Sequence, residues 1–391
     1  MKYIVVLGDG MADYPLDILD GKTPLEAAKK PNIDSICDEI GLVKTIPDGM
    51  KPGSDVANLS VLGYDPAKYY TGRSPLEAVS IGVKMADTDI AMRANFVTLS
   101  SEEDFEQKTM LDYSSSEIST SEASVLIDFL KQNLNLDGFE LYAGVSYRHC
   151  LISKIKGAYL SLTPPHDISD QKLKGYLPSD EKLLYFTKRS YELLKNHPVN
   201  LNRIKNGKNP ASCLWFWGAG VKPSLAKFSS LHNLRGAVIS AVDLIKGIGI
   251  ACDMTSIDVE GATGNVDTNF IGKAKACVEA LKTHDFVYIH IEAPDECGHR
   301  GEVYNKIKAI ELIDKEIVGY LLSNIKDDFK MMVLPDHETP IVKKTHTSGA
   351  VPYLIFDSTA KRNGGEYSES AAKNKPCICS GEQLLRKFLG E

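Results

Sequence analysis

The chain has little of what marks membrane, secreted or nucleic-acid-binding proteins. No apolar run in its 391 residues approaches the ~18 that a membrane-spanning helix needs. No Lys/Arg block or basic tail offsets 52 acidic against 45 basic side chains, so nucleic acid is not an expected partner. The Gly-x4-Gly-Lys-Ser/Thr pattern is missing, which removes a conventional ATP-phosphate cradle. The eight cysteines are scattered. Their one close pair, Cys377 and Cys379, has a one-residue spacer that does not suit a zinc knuckle. Reduced thiols acting as small hydrophobes in a cytoplasmic protein are expected. The opening MKYIVVLGDG lacks the length and cleavage site of a signal peptide and reads as a first β-strand.

What is present is an ordinary globular composition, 43% hydrophobic and 25% charged. Short continuous apolar runs recur at 3–7, 214–217, 237–239, 286–291, 331–334 and 353–356. Continuous rather than alternating runs are the pattern of strands buried on both faces of a parallel sheet. Between them lie helical stretches. Val303, Ile307, Ile310, Ile317 and Leu321 mark one amphipathic helix over 303–323. Thr23-Pro24-Leu25-Glu26 and Ser74-Pro75-Leu76-Glu77 each offer a capping hydroxyl, a Pro at the first helical position and a Glu at the third. Residues 100–124 and 163–182 are polar or Pro-rich, and five of the nine Arg lie between 72 and 204. The expected architecture is α/β. A mostly parallel sheet flanked by helices, from 1–84 and 211–391, is interrupted by a smaller inserted α/β domain at 85–210.

Three apolar runs deliver acids or imidazoles to one sheet edge. Asp9 ends the first, Asp295 follows YIHI, and Asp336-His337 follow MMVL. In open α/β sheets the carboxyl ends of the strands form the ligand crevice. His299 stands four residues after Asp295, and His346 nine after His337. Three Asp and three His suit Mn²⁺, Zn²⁺ or Mg²⁺, and six ligands are enough for two ions ~3.5–4 Å apart. Ser54 follows the Pro52-Gly53 turn, where a helix can open. A Ser there is ordinarily a helix cap, but the free N–H groups attract phosphate and a metal can activate the hydroxyl.

The ordered motifs LGDGMAD, PGSDVANLSVLGYDP, TGRSPLEA, MRANFVTL, SYRH, PPHD, VEGATGNVDTN, APDECGH and LPDHETP…THT run from residue 1 to about 357. Their sequence resembles the cofactor-independent phosphoglycerate mutases of archaeal type, within the alkaline phosphatase superfamily. The resemblance implies a metal-binding phosphatase-like domain interrupted by a substrate-gripping one. It also implies a phosphoserine route between 3- and 2-phosphoglycerate with no 2,3-bisphosphoglycerate requirement. Ser54 resembles the phosphate acceptor. Asp9, Ser54, Asp336 and His337 resemble the ligands of one ion, and Asp295, His299 and His346 those of the other. Arg93, Arg148-His149 and His166-Asp167 resemble substrate-binding and proton-transfer residues, with Lys246 adding charge near the phosphate. An Asn stands at position 58 where the mutases suggest a His, and Cys297 sits inside the Asp-x3-His motif.

The expected partner is a small phosphorylated hydroxy acid. The same subfamily includes relatives proposed to be homoserine kinases, so phosphoryl transfer to homoserine or another hydroxy acid is the alternative. A metal- and anion-binding sensor is a third reading, against which the Ser beside all six ligands argues.

Overall fold

The computed structural model describes residues 1–155, 157 and 162–391. The described residues form thirteen strands. They are β1 (Lys2–Gly8), β2 (Glu39–Val43), β3 (Ile90–Leu99), β4 (Met110–Asp112), β5 (Phe139–Tyr142), β6 (Arg148–Ser153) and β7 (Cys213–Val221). After these come β8 (Gly236–Ile239), β9 (Thr255–Ile257), β10 (Phe286–Ile291), β11 (Phe329–Leu334), β12 (Val351–Asp357) and β13 (Cys377–Ile378). The chain divides into two compact units, Met1–Tyr70 with Ser224–Glu391, and Thr71–Pro223.

The larger unit carries an eight-stranded sheet in the order β13-β2-β12-β11-β1-β10-β8-β9. Five of its seven neighbouring pairs are parallel, so the sheet is mostly parallel. The centre is β10-β1-β11, whose residues Ile4, Val6, Val287, Ile289, Met331 and Val333 are buried under helices 270–280 and 303–324. On the other face Tyr3 meets Phe388 of helix Gly381–Leu389 edge-on, and Tyr288 reaches Asn58 of helix Ser54–Val61. β12 is as apolar as its neighbours yet antiparallel to both. Burial on both faces sets the run of apolar residues; it does not encode direction.

The smaller unit is a five-stranded antiparallel sheet around β3, which pairs with β4, β6 and β7. One face is sealed by helices Thr120–Asn133 and Glu181–Leu194, through Leu126, Leu130, Leu183 and Phe186 on Ala94, Phe96 and Phe216.

Three expectations change. The run at 214–217 does not join the large sheet: it is part of β7, paired with β3 in the smaller unit. The smaller unit therefore takes in 71–84 and 211–223, beyond the 85–210 expected. Helix Arg73–Ser80 lies inside it because Ser74 Oγ accepts the Arg93 N–H of β3 at 3.0 Å. The helix expected over 303–323 is α-helical at Val303–Leu312 and Gly319–Asn324 but π-helical at Ile313–Val318. In that wider turn the Asp314 carboxylate accepts the Ile33 N–H at 2.7 Å and the Asn32 side chain at 2.8 Å, closing the start of helix Pro31–Ser35. The eight cysteines are free thiols, six of them buried, Cys297 included.

Candidate active site

The strand order of the large sheet explains the first cluster. β1 lies between β10 and β11, so the residues just past their carboxyl ends converge. Asp9, Asp336 and His337 each present a ligand atom within 4.8 Å of the other two; Asp295, His299 and His346 do the same. Asp295 and His299 share a helix, Ala293–Arg300, where four-residue spacing puts them on one side.

In the first group, Asp336 Oδ1 accepts the Gly10 N–H at 3.1 Å and its neighbour His337 N–H at 3.0 Å. Gly10 has φ 57°, and a Cβ there would stand 2.4 Å from Thr339 Oγ1 and 2.6 Å from Asp295 Oδ1. Only Gly fits. Asp9 Oδ2 meets His290 Nε2 at 2.9 Å, while Asp9 Oδ1 is buried with no hydrogen-bond partner. Burial, then the carboxylates of Asp336 and Asp295, push the Asp9 carboxyl well above its usual range. The Ser54 hydroxyl lies 3.2 Å from His337 Nε2. Helix Ser54–Val61 is capped by Gly53, with no side-chain cap. The ordinary capping role therefore does not account for Ser54.

One proton assignment follows. Thr339 Oγ1 donates to Asp295 Oδ1 at 2.5 Å, and a hydroxyl has one proton. Its contact with His337 Nδ1, at 3.2 Å, must then be accepted from the imidazole. The Nε2 lone pair of His337 thus faces Asp9 Oδ1 at 3.5 Å and Asp336 Oδ2 at 3.4 Å. Two carboxylate oxygens and an imidazole nitrogen thus converge, a donor set that fits a divalent cation.

The second group has the same character. His299 Nε2 and His346 Nε2 lie 2.9 Å apart, with Asp295 oxygens at 3.2 and 3.4 Å. His299 Nδ1 donates to the Lys344 carbonyl at 3.0 Å, so Nε2 is the nitrogen turned toward Asp295 and His346. Tetrahedral bonds of ~2.0–2.1 Å put ligand atoms roughly 3.3 Å apart, close to this spacing. The hydrogen bond to Asp295 raises His299 to about 9.

Further side chains surround the two groups. Lys306 Nζ, fully buried, pairs with Asp13 Oδ2 at 2.6 Å and donates to the Thr339 carbonyl at 2.9 Å. It thereby ties the loop after β1 to the loop after β11. Asn58 donates to Asp336 Oδ2 and to the Ser54 carbonyl, each at 2.8 Å, and accepts from Tyr288 at 2.6 Å. Position 58 is thus a hydrogen-bonding brace. Lys246 is ion-paired with Asp258 at 2.6 Å.

The second cluster belongs to the smaller unit. β3, β6 and β7 place Arg93, Asn95, Arg148 and Trp217 on one face, by the pairings Arg148↔Asn95 and Arg93↔Trp217. Arg93 stacks on Trp217 at 4.7 Å and Arg148 on Tyr147 at 4.9 Å. His166 stands edge-on to Trp217 and Tyr113, at 5.3 and 6.1 Å, with Asp167 3.5 Å away. Burial, followed by the Glu77 charge that opposes it, leaves Arg93 lowered to about 10. Burial also lowers His166. His149 is not part of this group. Strand alternation turns it to the helix-covered face, where Phe96 packs on it and Nδ1 accepts the Gly144 N–H at 3.1 Å. Burial lowers it to about 3, so it stays neutral.

The chain is similar to several known proteins. A family model of 2,3-bisphosphoglycerate-independent phosphoglycerate mutase matches residues 38–200. The protein of that name from Methanosarcina barkeri is 49% identical over 384 residues, 95% of each chain. That from Methanosarcina mazei is 47% identical over 385 residues, 96% of each. Among solved structures, the PH0037 protein from Pyrococcus horikoshii is 29% identical, with a TM-score of 0.82 over 100% of this chain and 97% of that one. The cofactor-independent phosphoglycerate mutase from Thermoplasma acidophilum, 24% identical, shares the fold, with a TM-score of 0.66 over 100% of this chain and 99% of that one. No helix among the described residues is long and apolar enough to cross a membrane.

Proposed function

The chain belongs to the 2,3-bisphosphoglycerate-independent phosphoglycerate mutases, and from that membership we propose that it interconverts 3- and 2-phosphoglycerate through a phosphoserine at Ser54. The observation that carries the reading is the Ser54 hydroxyl at a helix N-terminus, 3.2 Å from His337 Nε2 and without a capping role. Two divalent cations (Mn²⁺, Zn²⁺ or Mg²⁺), one held by Asp9, Asp336, His337 and Ser54 and the other by Asp295, His299 and His346, would lower the Ser54 hydroxyl pKa and offset phosphoryl charge.

Ser54 Oγ, already deprotonated, forms a bond to phosphorus as the bond from phosphorus to the 3-oxygen of glycerate breaks, and it leaves as the same alkoxide in the second transfer. The N-terminal N–H groups of helix Ser54–Val61 favour the phosphoryl charge. Arg93 and Arg148 orient glycerate through its carboxylate, which a guanidinium grips in two places. The His166–Asp167 pair gives a proton to the departing 3-oxygen. It then takes one from the 2-hydroxyl as that oxygen attacks the phosphoserine, so the proton count returns to its start.

Incubation of the Mn²⁺-loaded protein with 3-phosphoglycerate, without ATP or 2,3-bisphosphoglycerate, is expected to yield 2-phosphoglycerate. Phosphate is expected on the peptide containing GSDVAN. An inert mixture, together with phosphorylation of homoserine from ATP, would replace this reading with the kinase one.

A further inference from the structure

We propose that Glu77 is a positioning residue that holds Arg93, one of the two arginines of the anion grip, in place; this rests on the phosphoglycerate reading above. Helix Arg73–Ser80 starts at Gly72, whose φ of 127° and closeness to the Ala219 carbonyl press the helix start against β7. Arg73 and Glu77 are four residues apart and therefore on one helix face. The Glu77 carboxylate is mostly buried and divides its two oxygens. Oε1 accepts from Arg73 Nε at 2.7 Å, and Oε2 lies 2.9 Å from Arg93 Nε. Arg93 comes from a different element, β3, and the Ser74 hydroxyl locks that strand to the helix. Ion-paired with Glu77 and stacked on Trp217, the Arg93 guanidinium is held between two elements.

Why a carboxylate belongs in an anion-binding site is then clear. Arg73 and Arg148 both repel Arg93, and without Glu77 the three cations would separate or bind anions in many geometries. Glu77 gives up some positive charge in return for a grip ordered before the ligand arrives. Arg73–Glu77 is also an i,i+4 pair, for which a solvated helix-face ion pair is the ordinary explanation. The second oxygen on Arg93, from another element and nearly buried, is what that explanation leaves out.

The test separates positioning from plain charge, because the two predict opposite signs. In a Ser54→Ala background, which stops turnover, titration calorimetry of the Mn²⁺-loaded full chain gives the Kd for 3-phosphoglycerate. Glu77→Gln raises the net positive charge of the site. Under the proposal the Kd nevertheless rises at least about tenfold, with Tm within about 3 °C of the parent. Glu77→Asp keeps the charge but reaches one guanidinium only, and falls between. An unchanged or tighter Kd in Glu77→Gln overturns the inference. If that variant does not fold, Glu77→Asp decides: weaker binding supports the inference and parental binding overturns it. A parent chain that fails to bind 3-phosphoglycerate brings down the functional reading itself, and this inference with it.

Discussion

The Thr339 hydroxyl donates to Asp295 at 2.5 Å. Since it also accepts from His337, one side chain joins the two candidate metal groups. Occupation of either group should therefore be felt by the other. Thr339→Val keeps the shape and removes both bonds. Metal affinity or kcat is expected to fall by about 10–100-fold, the usual cost of losing such an outer partner. Metal titration followed calorimetrically, with turnover measured in parallel, checks this; an unaltered variant would show that the two groups act independently.

Ser54→Ala is expected to abolish turnover and phosphopeptide formation while leaving Tm nearly unchanged. A lost N-cap would cost about 1 kcal/mol, but Gly53 occupies the capping position. Stability loss with turnover retained would reverse the assignment.

The Lys306–Asp13 pair is fully buried and ties two of the site's loops together. Lys306→Met strands the Asp13 carboxylate in the interior, and a loss of about 3–5 kcal/mol in denaturant unfolding is expected. Combining it with Asp13→Leu should recover part of that stability, because the charge left behind, rather than the pair's net value, is the main cost. Equal losses in the single and double variants would count against this account.

His149 makes a pH prediction. Its folded pKa lies at about 3, lowered by burial from an ordinary 6.5. Between those values the unfolded chain binds a proton that the folded one refuses. Stability is therefore full above pH 6.5 and falls as the pH drops toward 3, by up to about 1.4 kcal/mol per unit. His149→Gln can still accept from Gly144 but cannot titrate. Its unfolding free energy should lose that portion of the slope between pH 6 and 4. Parallel curves for the two proteins would remove His149 from the acid response.

Several site residues were legible because their signals are local. An apolar run that stops at an acid marks the mouth of a parallel sheet, which is how Asp9, Asp295 and Asp336-His337 stand out. Four-residue spacing alone sets His299 beside Asp295. Other features depend on which segments pair across long stretches of chain, and no local pattern carries that choice. The run at 214–217 could have extended either sheet; its hydrogen bonds to β3 assign it to the smaller one. The pairing of β6 with β3 turns Arg148 to the face of Arg93 and His149 away from it, since adjacent strand residues face opposite sides. Thr339, Lys306 and Asp13 are unremarkable letters in the chain, and Glu77 reads there only as part of a helix start, which the structure caps at Gly72 instead. Each acquires a role only when folding carries it into contact with an acid, imidazole or cation from another element, where burial makes an unmet hydrogen bond or charge costly.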